Sequence, residues 1–338
     1  MDSCSRSTAI VFRSARVPVD QIAIGVDIGG GSTKIGLVSS AGAILDRARI
    51  VASKTDDADQ IVRTYANAIK RLMARNPSAV PIGIGIGFPG AIHPGNMSGT
   101  FANVPALDDT PLAERIGAVF SLPARMENDG TAAGIAEAMF GKERDSPRQL
   151  LVTAGTGIGV AFTVDGKPFV TSYGCLGNAG HVIVDPKGAE RCRQGCLGCL
   201  ESVASADALN AMAAGFVRTN PNSAIALHSV GLGKKADASD IIFCARHGDG
   251  AAVSMLTEAG RWIGRATATW AHIFAPSIIL LGGGLSAAGD LLLKPIEQEA
   301  RRCGLALYLD HARFALASLG NDAGMIGAAA QIFLNSRP

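Results

Sequence analysis

Apolar residues fall in short runs that end on glycine. Ile22 to Ile28 is such a run, closed by Gly29-Gly30-Gly31, and Ile35 to Ser39 resumes it. Residues 43–50 read as a third strand. From Ala58 to Arg75 the period changes, with Ile61, Val62, Tyr65, Ile69, Leu72 and Met73 recurring on one helical face. Val80 to Gly87 returns to strand, and strands followed by a helix and another strand predict an α/β layer. A second unit begins near Glu127. Thr131 to Phe140 is an Ala-rich helix stopped by Gly141, and Gln149 to Thr153 is a strand. The turn Ala154-Gly155-Thr156-Gly157 and a strand from Ile158 to Val164 then repeat the opening arrangement with little identity. Further on, Ala251 to Phe274 reads as a long helix, Ile278 to Leu281 as a buried strand and Gly282-Gly283-Gly284 as a third glycine turn. Helix follows to about Cys303, and a last one spans Ala323 to Asn335. No Pro or Ser linker separates the halves, so two packed lobes with a cleft are expected. Residues 1–20 read as a disordered extension. Residues 21–125, completed by helix 323–335, read as a small α/β lobe, and 126–322 as a large α/β lobe with a Cys-rich loop at 192–199.

Composition narrows the picture. Glycine supplies 41 of 338 residues, about 12% where about 7% is usual. With no collagen period and 48% apolar residues, this excludes a fibrous or disordered chain and asks for tight turns or close backbone approach. Charge is nearly balanced, 31 basic against 29 acidic residues, and aromatics are 5%, so a nucleic-acid partner is not expected. The uncharged runs Val80 to Leu107 and Trp270 to Gly289 are broken by Gly and Pro, which argues against a membrane span. The first residues carry Arg6, Arg13 and Arg16 without an apolar stretch, so a secretory signal is not expected; a transit peptide is only weakly resembled. Seven cysteines, three of them within Cys192 to Cys199, then suggest a cytoplasmic protein with a metal knot rather than a disulfide framework.

Glycine turns after strands free backbone N–H groups to converge on phosphate oxygens. Any one of them could be an ordinary hairpin. Three, two of them with hydroxyls alongside (Ser32, Thr33; Thr153, Thr156), favour a polyphosphate ligand. Gly85-Ile-Gly87-Phe-Pro-Gly90 imitates a dinucleotide fingerprint, but Pro89 lies inside it and no helix follows. Two carboxylates carry the chemistry. Asp27 ends the first strand beside the triple glycine, where it could hold a phosphate-bound Mg²⁺ through water. Asp129 opens a helix, either as its cap or as a base that accepts a hydroxyl proton, kept ionised near neutral pH by the helix dipole.

These strings occur in an order that resembles the ROK family (repressor, open reading frame, kinase), whose sugar kinases are glucokinase-like. The markers are Asp27 to Lys34, Gly87-Phe-Pro-Gly90, Asn103, Glu127 to Ala133, Thr153 to Gly159, Gly180-His181, Gly198 to Glu201, Gly282 to Ser286 and Asp322-Ala-Gly324. They cover about Ile22 to Phe333. The resemblance implies a two-lobed actin/hexokinase-like (ribonuclease H-like) fold, ATP with Mg²⁺, and phosphoryl transfer to a hexose or amino-sugar hydroxyl, usually the 6-OH. It makes Asp129 the catalytic base and places Asn103, Asn128, Asp129, Asn178, His181 and Glu201 on the sugar. Asp27, Gly30, Gly31, Ser32, Thr33 and Lys34 fall on the first phosphate turn, and Thr153, Gly155, Thr156 and Gly157 on the second. Gly283 and Gly284 fall on the nucleotide edge, and a homodimer is implied.

Three positions depart from the family pattern. Asn178 stands where a Glu is usual, implying a sugar that differs from glucose around C1 or C2, or the same role with weaker binding. Gln194 stands at the middle cysteine of the family's zinc motif. Cys196 could replace it, so that His181, Cys192, Cys196 and Cys199 form a structural zinc site; a metal-free loop is the alternative. Gly31 replaces a usual hydroxyl, leaving Ser32 or Thr33 to meet phosphate. The family also contains repressors, but their helix-turn-helix module needs more than the roughly 20 residues preceding Gln21, which favours the enzyme. A protein that binds sugar without turnover is a third reading.

Overall fold

The structure, a computed structural model, describes residues 21–335 except 30, 52–56, 94, 96, 101–103 and 172–173. The expected extension at 1–20 lies outside the described residues. Strands β1 (Ile22–Ile28), β2 (Ser32–Ser39) and β3 (Ile44–Val51) form an antiparallel meander. Helix α1 (Ala58–Arg75), capped by the Asp57 side chain, returns the chain to β4 (Pro81–Phe88), parallel to β1. A short ladder of β5 (Ala91–Ile92) with β6 (Gly99–Thr100) and helix α2 (Leu112–Phe120) lead to β7 (Ala124–Asn128), parallel to β4. The first sheet therefore runs β3-β2-β1-β4-β7 and extends to Asn128, past the expected boundary at 125/126.

Helix α3 (Asp129–Phe140) carries the chain to a second meander of β8 (Arg148–Ala154), β9 (Ile158–Val164) and β10 (Lys167–Pro168). The ladder β11 (Val170–Thr171) with β12 (Gly174–Cys175) comes next. Five helices follow: α4 (Leu200–Ala204), α5 (Ala206–Thr219), α6 (Ala224–Gly231), α7 (Ala238–Arg246) and α8 (Gly250–Phe274). Strand β13 (Ile278–Gly282) lies parallel to β8. Helices α9 (Asp290–Cys303) and α10 (Ala306–Leu309) precede β14 (Arg313–Leu316), parallel to β13, and α11 (Ala323–Asn335) follows. The second sheet runs β10-β9-β8-β13-β14, the topology of the first repeated. A meander followed by parallel returns, twice over, is the two-lobed actin/hexokinase-like architecture. The repeat extends to single positions, since Asp27 and Thr153 are both the last residue but one of the leading strand.

Three apolar clusters hold these layers. One packs α1 and α2 on the first sheet, and one packs α5, α7, α8 and α9 on the second. The third lies between the sheets and joins α3 to α11 through Ala133, Ala136, Ile326, Ala329 and Phe333. Helix α11 sits against the first sheet's backbone because β1 and β4 present glycines to it. A Cβ at Gly85 would lie 1.6 Å from the Ala328 carbonyl oxygen, and one at Gly25 2.1 Å from that of Met325. Part of the glycine excess is thus helix-on-sheet packing. No helix among the described residues is long and apolar enough to cross a membrane.

Candidate active site

The cleft lies at the C-terminal ends of β1, β4, β7 and β8, the side where ligands bind open α/β sheets. It encloses about 400 Å³ and is lined by Asp27, Asn128, Asp129, Thr153, Asn178 and Glu201, among others. A hollow of about 180 Å³ continues behind it between α3 and the residues 317–324, sharing Asp27, Asp129 and Asn321.

Asn128, not Asp129, caps α3. Its Oδ1 accepts from the Thr131 N–H at 3.1 Å and its Nδ2 donates to the Gly90 carbonyl at 3.1 Å. Asp129, at the first helical position, accepts from the Gly130 N–H at 2.8 Å and faces the cleft. Burial pushes its carboxyl up to about 7, the Asp27 charge adds to this, and the Gly130 N–H opposes it. The first-turn dipole, expected to keep Asp129 ionised near neutral pH, is therefore opposed by desolvation beside a second carboxylate. Burial likewise raises Asp27, with Lys34 Nζ at 3.6 Å opposing. Two carboxylates under this strain face one cleft. That arrangement suits a hard cation bridging to phosphate oxygens, so Mg²⁺ fits the donor set.

The first phosphate turn is rearranged relative to expectation. Thr33 is fully buried, its Oγ1 hydrogen-bonded to the Tyr65 hydroxyl at 2.9 Å, and Ser32 Oγ accepts from Arg49 Nε at 3.0 Å. Neither these hydroxyls, nor Gly31, nor Lys34 lines the cleft; Lys34 donates instead to the Asn321 carbonyl. Gly30 and Asn103 lie outside the described residues. The second turn does line it: Thr153, Gly155, Thr156 and Gly157 face Gly283 across the opening. Gly283 has φ +78°, and a Cβ there would meet the Ala154 carbonyl oxygen at 2.4 Å, so this crossing of two turns requires glycine. Gly284 is not among the lining residues, although its N–H lies 4.0 Å from where a Gly155 Cβ would sit.

Of the residues expected on the sugar, Asn178 is exposed in the 3₁₀ turn Gly177–His181, and His181 ends that turn. Glu201 on α4 accepts from the Ile158 N–H at 3.1 Å, tying the cysteine loop to the second phosphate turn. His181 Nδ1 stands 3.6 Å from Cys192 Sγ and 3.9 Å from Cys199 Sγ. Zn–N near 2.0 Å and Zn–S near 2.3 Å at a tetrahedral angle would put such atoms about 3.6 Å apart, so these three residues fit zinc. Cys196 lies beside Cys192 but outside the cluster of His181, Cys192 and Cys199, whose donor atoms all fall within 4.8 Å of one another. Sequence reasoning missed Arg193, Gln194 and Asn321 as cleft residues. In sequence Arg193 is only spacing between cysteines, and Gln194 stands out as a departure from the zinc motif, not as a cleft residue. The signal for Asn321 was its place beside the family string at Asp322.

The chain matches the sequence model of the ROK family over residues 23–333. It is 35% identical over 314 residues to the glucokinase of Halalkalibacterium halodurans, covering 91% of this chain and 94% of that protein. It is 31% identical over 249 residues to the DNA-binding transcriptional repressor Mlc of Escherichia coli, covering 73% of this chain and 59% of Mlc. Its fold superposes on a ROK family glucokinase from Streptomyces griseus, solved with glucose and AMPPNP, with a TM-score of 0.80 and 31% identity over 92% of this chain and 98% of that one. Matched along almost its whole described length, this chain belongs to the ROK family.

Proposed function

We propose that this protein is an ATP- and Mg²⁺-dependent sugar kinase that transfers the γ-phosphoryl group to the 6-OH of a hexose or amino sugar. The observation that carries this reading is Asp129: relieved of capping by Asn128, it faces the cleft between two carboxylate-bearing and glycine-bearing turns. In its ionised form Asp129 takes the hydroxyl proton as the sugar oxygen attacks the γ-phosphorus, and ADP departs. The N–H groups around Gly155, Thr156, Gly157 and Gly283 receive the phosphates, and Asp27 would hold the Mg²⁺, which would supply positive charge to offset that of the leaving group. Positioning and charge neutralisation supply most of the acceleration in such transfers, and a base about 10²–10⁴-fold. Asn178, His181 and Glu201 contact the sugar; Asn128 keeps a second Nδ2 hydrogen for a hydroxyl. Bound zinc would hold the 192–199 loop on His181 and orient that ring, without joining the transfer. The two sheets are the cores of lobes that close over the sugar and exclude water as an acceptor.

The test is ADP release over hexoses, 2-amino sugars and N-acetyl sugars, with polyphosphate as a second donor arm. Asp129→Asn is expected to lower kcat by at least 10²-fold while sugar binding survives. Retained turnover in that variant would remove Asp129 as the base. The match to Mlc favours one other reading, sugar sensing, which predicts sugar binding with no ADP release from the unaltered protein.

A further inference from the structure

The described chain passes between the two sheets twice. The first passage is the junction of β7 with α3 at Asn128–Asp129, and the second is the segment 317–322 between β14 and α11. Glu137, two turns along α3 from Asp129, ties the second passage to the first. One carboxylate oxygen accepts the N–H groups of Ser318 at 2.8 Å and Leu319 at 2.7 Å, and the other accepts the Ser318 hydroxyl at 3.0 Å. The residue is 1% exposed, and a carboxylate is expensive to bury unless donors surround it. Here the donors come from a single segment, so the cost is offset only while that segment stays docked.

The same segment is gripped from the other side. The Asn321 carbonyl accepts from Lys34, whose ammonium also neighbours Asp27, and Asp322 accepts from Arg47 on β3 at 2.8 Å. Asp129, Ala133 and Glu137 form one stripe of α3, at i, i+4 and i+8, along the hollow behind the cleft. The contacts therefore run without a break from the helix that carries Asp129, through 318–322, to the strand pair that carries Asp27.

We propose that Glu137 is a positioning residue for phosphoryl transfer: it locks the second inter-sheet passage to the catalytic helix and so keeps Asp129 in register with the phosphate turn at Asp27. This rests on the kinase reading. A displacement of about 1 Å at a reacting group can cost about 10²-fold in rate, which sets the scale of the effect.

The experiment compares Glu137→Ala, Glu137→Gln and Glu137→Asp with the unaltered protein in kcat, in sugar Kd and in amide exchange at Ser318 and Leu319. Glu137→Ala is expected to lower kcat about 10- to 100-fold with sugar Kd within about threefold, and to speed exchange at both amides more than about tenfold. Glu137→Gln, which keeps an oxygen to accept both N–H groups, is expected to recover most of kcat. A folded Glu137→Ala with kcat within about twofold of the unaltered protein overturns the proposal, as does a loss that merely follows the fraction of molecules able to bind sugar. Should Glu137→Ala not fold, Glu137→Asp carries the same criterion, because its shorter side chain withdraws from Ser318 and Leu319. An unaltered protein without turnover on any sugar sinks the kinase reading instead. Amide exchange then still decides whether the latch exists, and unchanged exchange in Glu137→Ala overturns it.

Discussion

Asn128 and Asp129 divide two jobs that either residue type could do. The cap is worth about 1 kcal/mol and falls to the amide. The carboxylate one position later is left facing the cleft, where burial and Asp27 hold it near 7. On the proposed mechanism the base form is the one needed, so kcat/KM is expected to rise with pH through about 7 and level above it. For stability the sign is opposite. Asp129 titrates higher in the folded protein than in the unfolded chain, so its protonated form favours the fold. That contribution is whole below about pH 4 and is lost as pH rises through 7. Asp129→Asn is therefore expected to stabilise the fold in metal-free buffer by more at pH 8 than at pH 5, a difference on the order of a few kcal/mol that denaturant unfolding at the two pH values would measure. An equal gain at both pH values would show that the carboxyl is not strained. Asp129 was legible as a candidate from its helix-start string, but its ionisation was not, since the burial that raises it is tertiary and the charge beside it comes from β1, about a hundred positions away. The misreading of Thr33 was avoidable. Thr33, Ile35 and Leu37 alternate along β2 and are all fully buried, so strand periodicity alone assigns Thr33 to the core face.

Elements were legible where their period was strong. The helices expected at 58–75 and 323–335 are observed with those bounds. The helix expected from Thr131 starts at Asp129, because the cap is Asn128. After the third glycine turn the helix is delayed to Asp290, the residues Gly284–Ala288 forming a 3₁₀ turn first. The cysteine loop was legible in composition and not in geometry. It is knitted by backbone bonds that no short motif announces, from Val184 and Asp185 to the Gly198 carbonyl and from Cys192 to that of Cys196. Those bonds bring Cys192 and Cys199 to His181 and leave Cys196 at the edge. Metal analysis of the purified protein is expected to give about one zinc per chain, lost in Cys199→Ser and retained in part in Cys196→Ser. Absence of zinc from the unaltered protein would leave the loop metal-free.

At the scale of the molecule, the repeat of strand, glycine turn and strand in the sequence corresponds to two sheets of one topology. What stayed hidden was the seat of α11. In sequence Gly25 lies inside an apolar run and Gly85 opens a string that imitates a dinucleotide fingerprint, yet both let a helix lie against the sheet's backbone. No local pattern reports this, because the partner atoms arrive from the far end of the chain. Gly85→Ala would drive a methyl into the Ala328 carbonyl, which cannot retreat without lifting the helix. Overpacking of this kind costs about 1–3 kcal/mol, and Tm is expected to fall by several degrees. A Tm within about one degree of the unaltered protein would show that the helix is not closely seated.

That seat has a consequence for how the protein is made. Gln331 on α11 donates to the Ile86 carbonyl on β4 across 245 positions of sequence. On the ribosome, at about 5–20 residues per second, the first sheet therefore waits on the order of ten seconds or more before its covering helix emerges. Throughout that interval the face built from Ala23, Val38 and the bare glycines of β1 and β4 is open to the cell. Nascent chains of this protein should thus engage holdase chaperones through their N-terminal half until α11 is translated. Variants that weaken the seat should lose yield during synthesis before they lose activity in the purified enzyme.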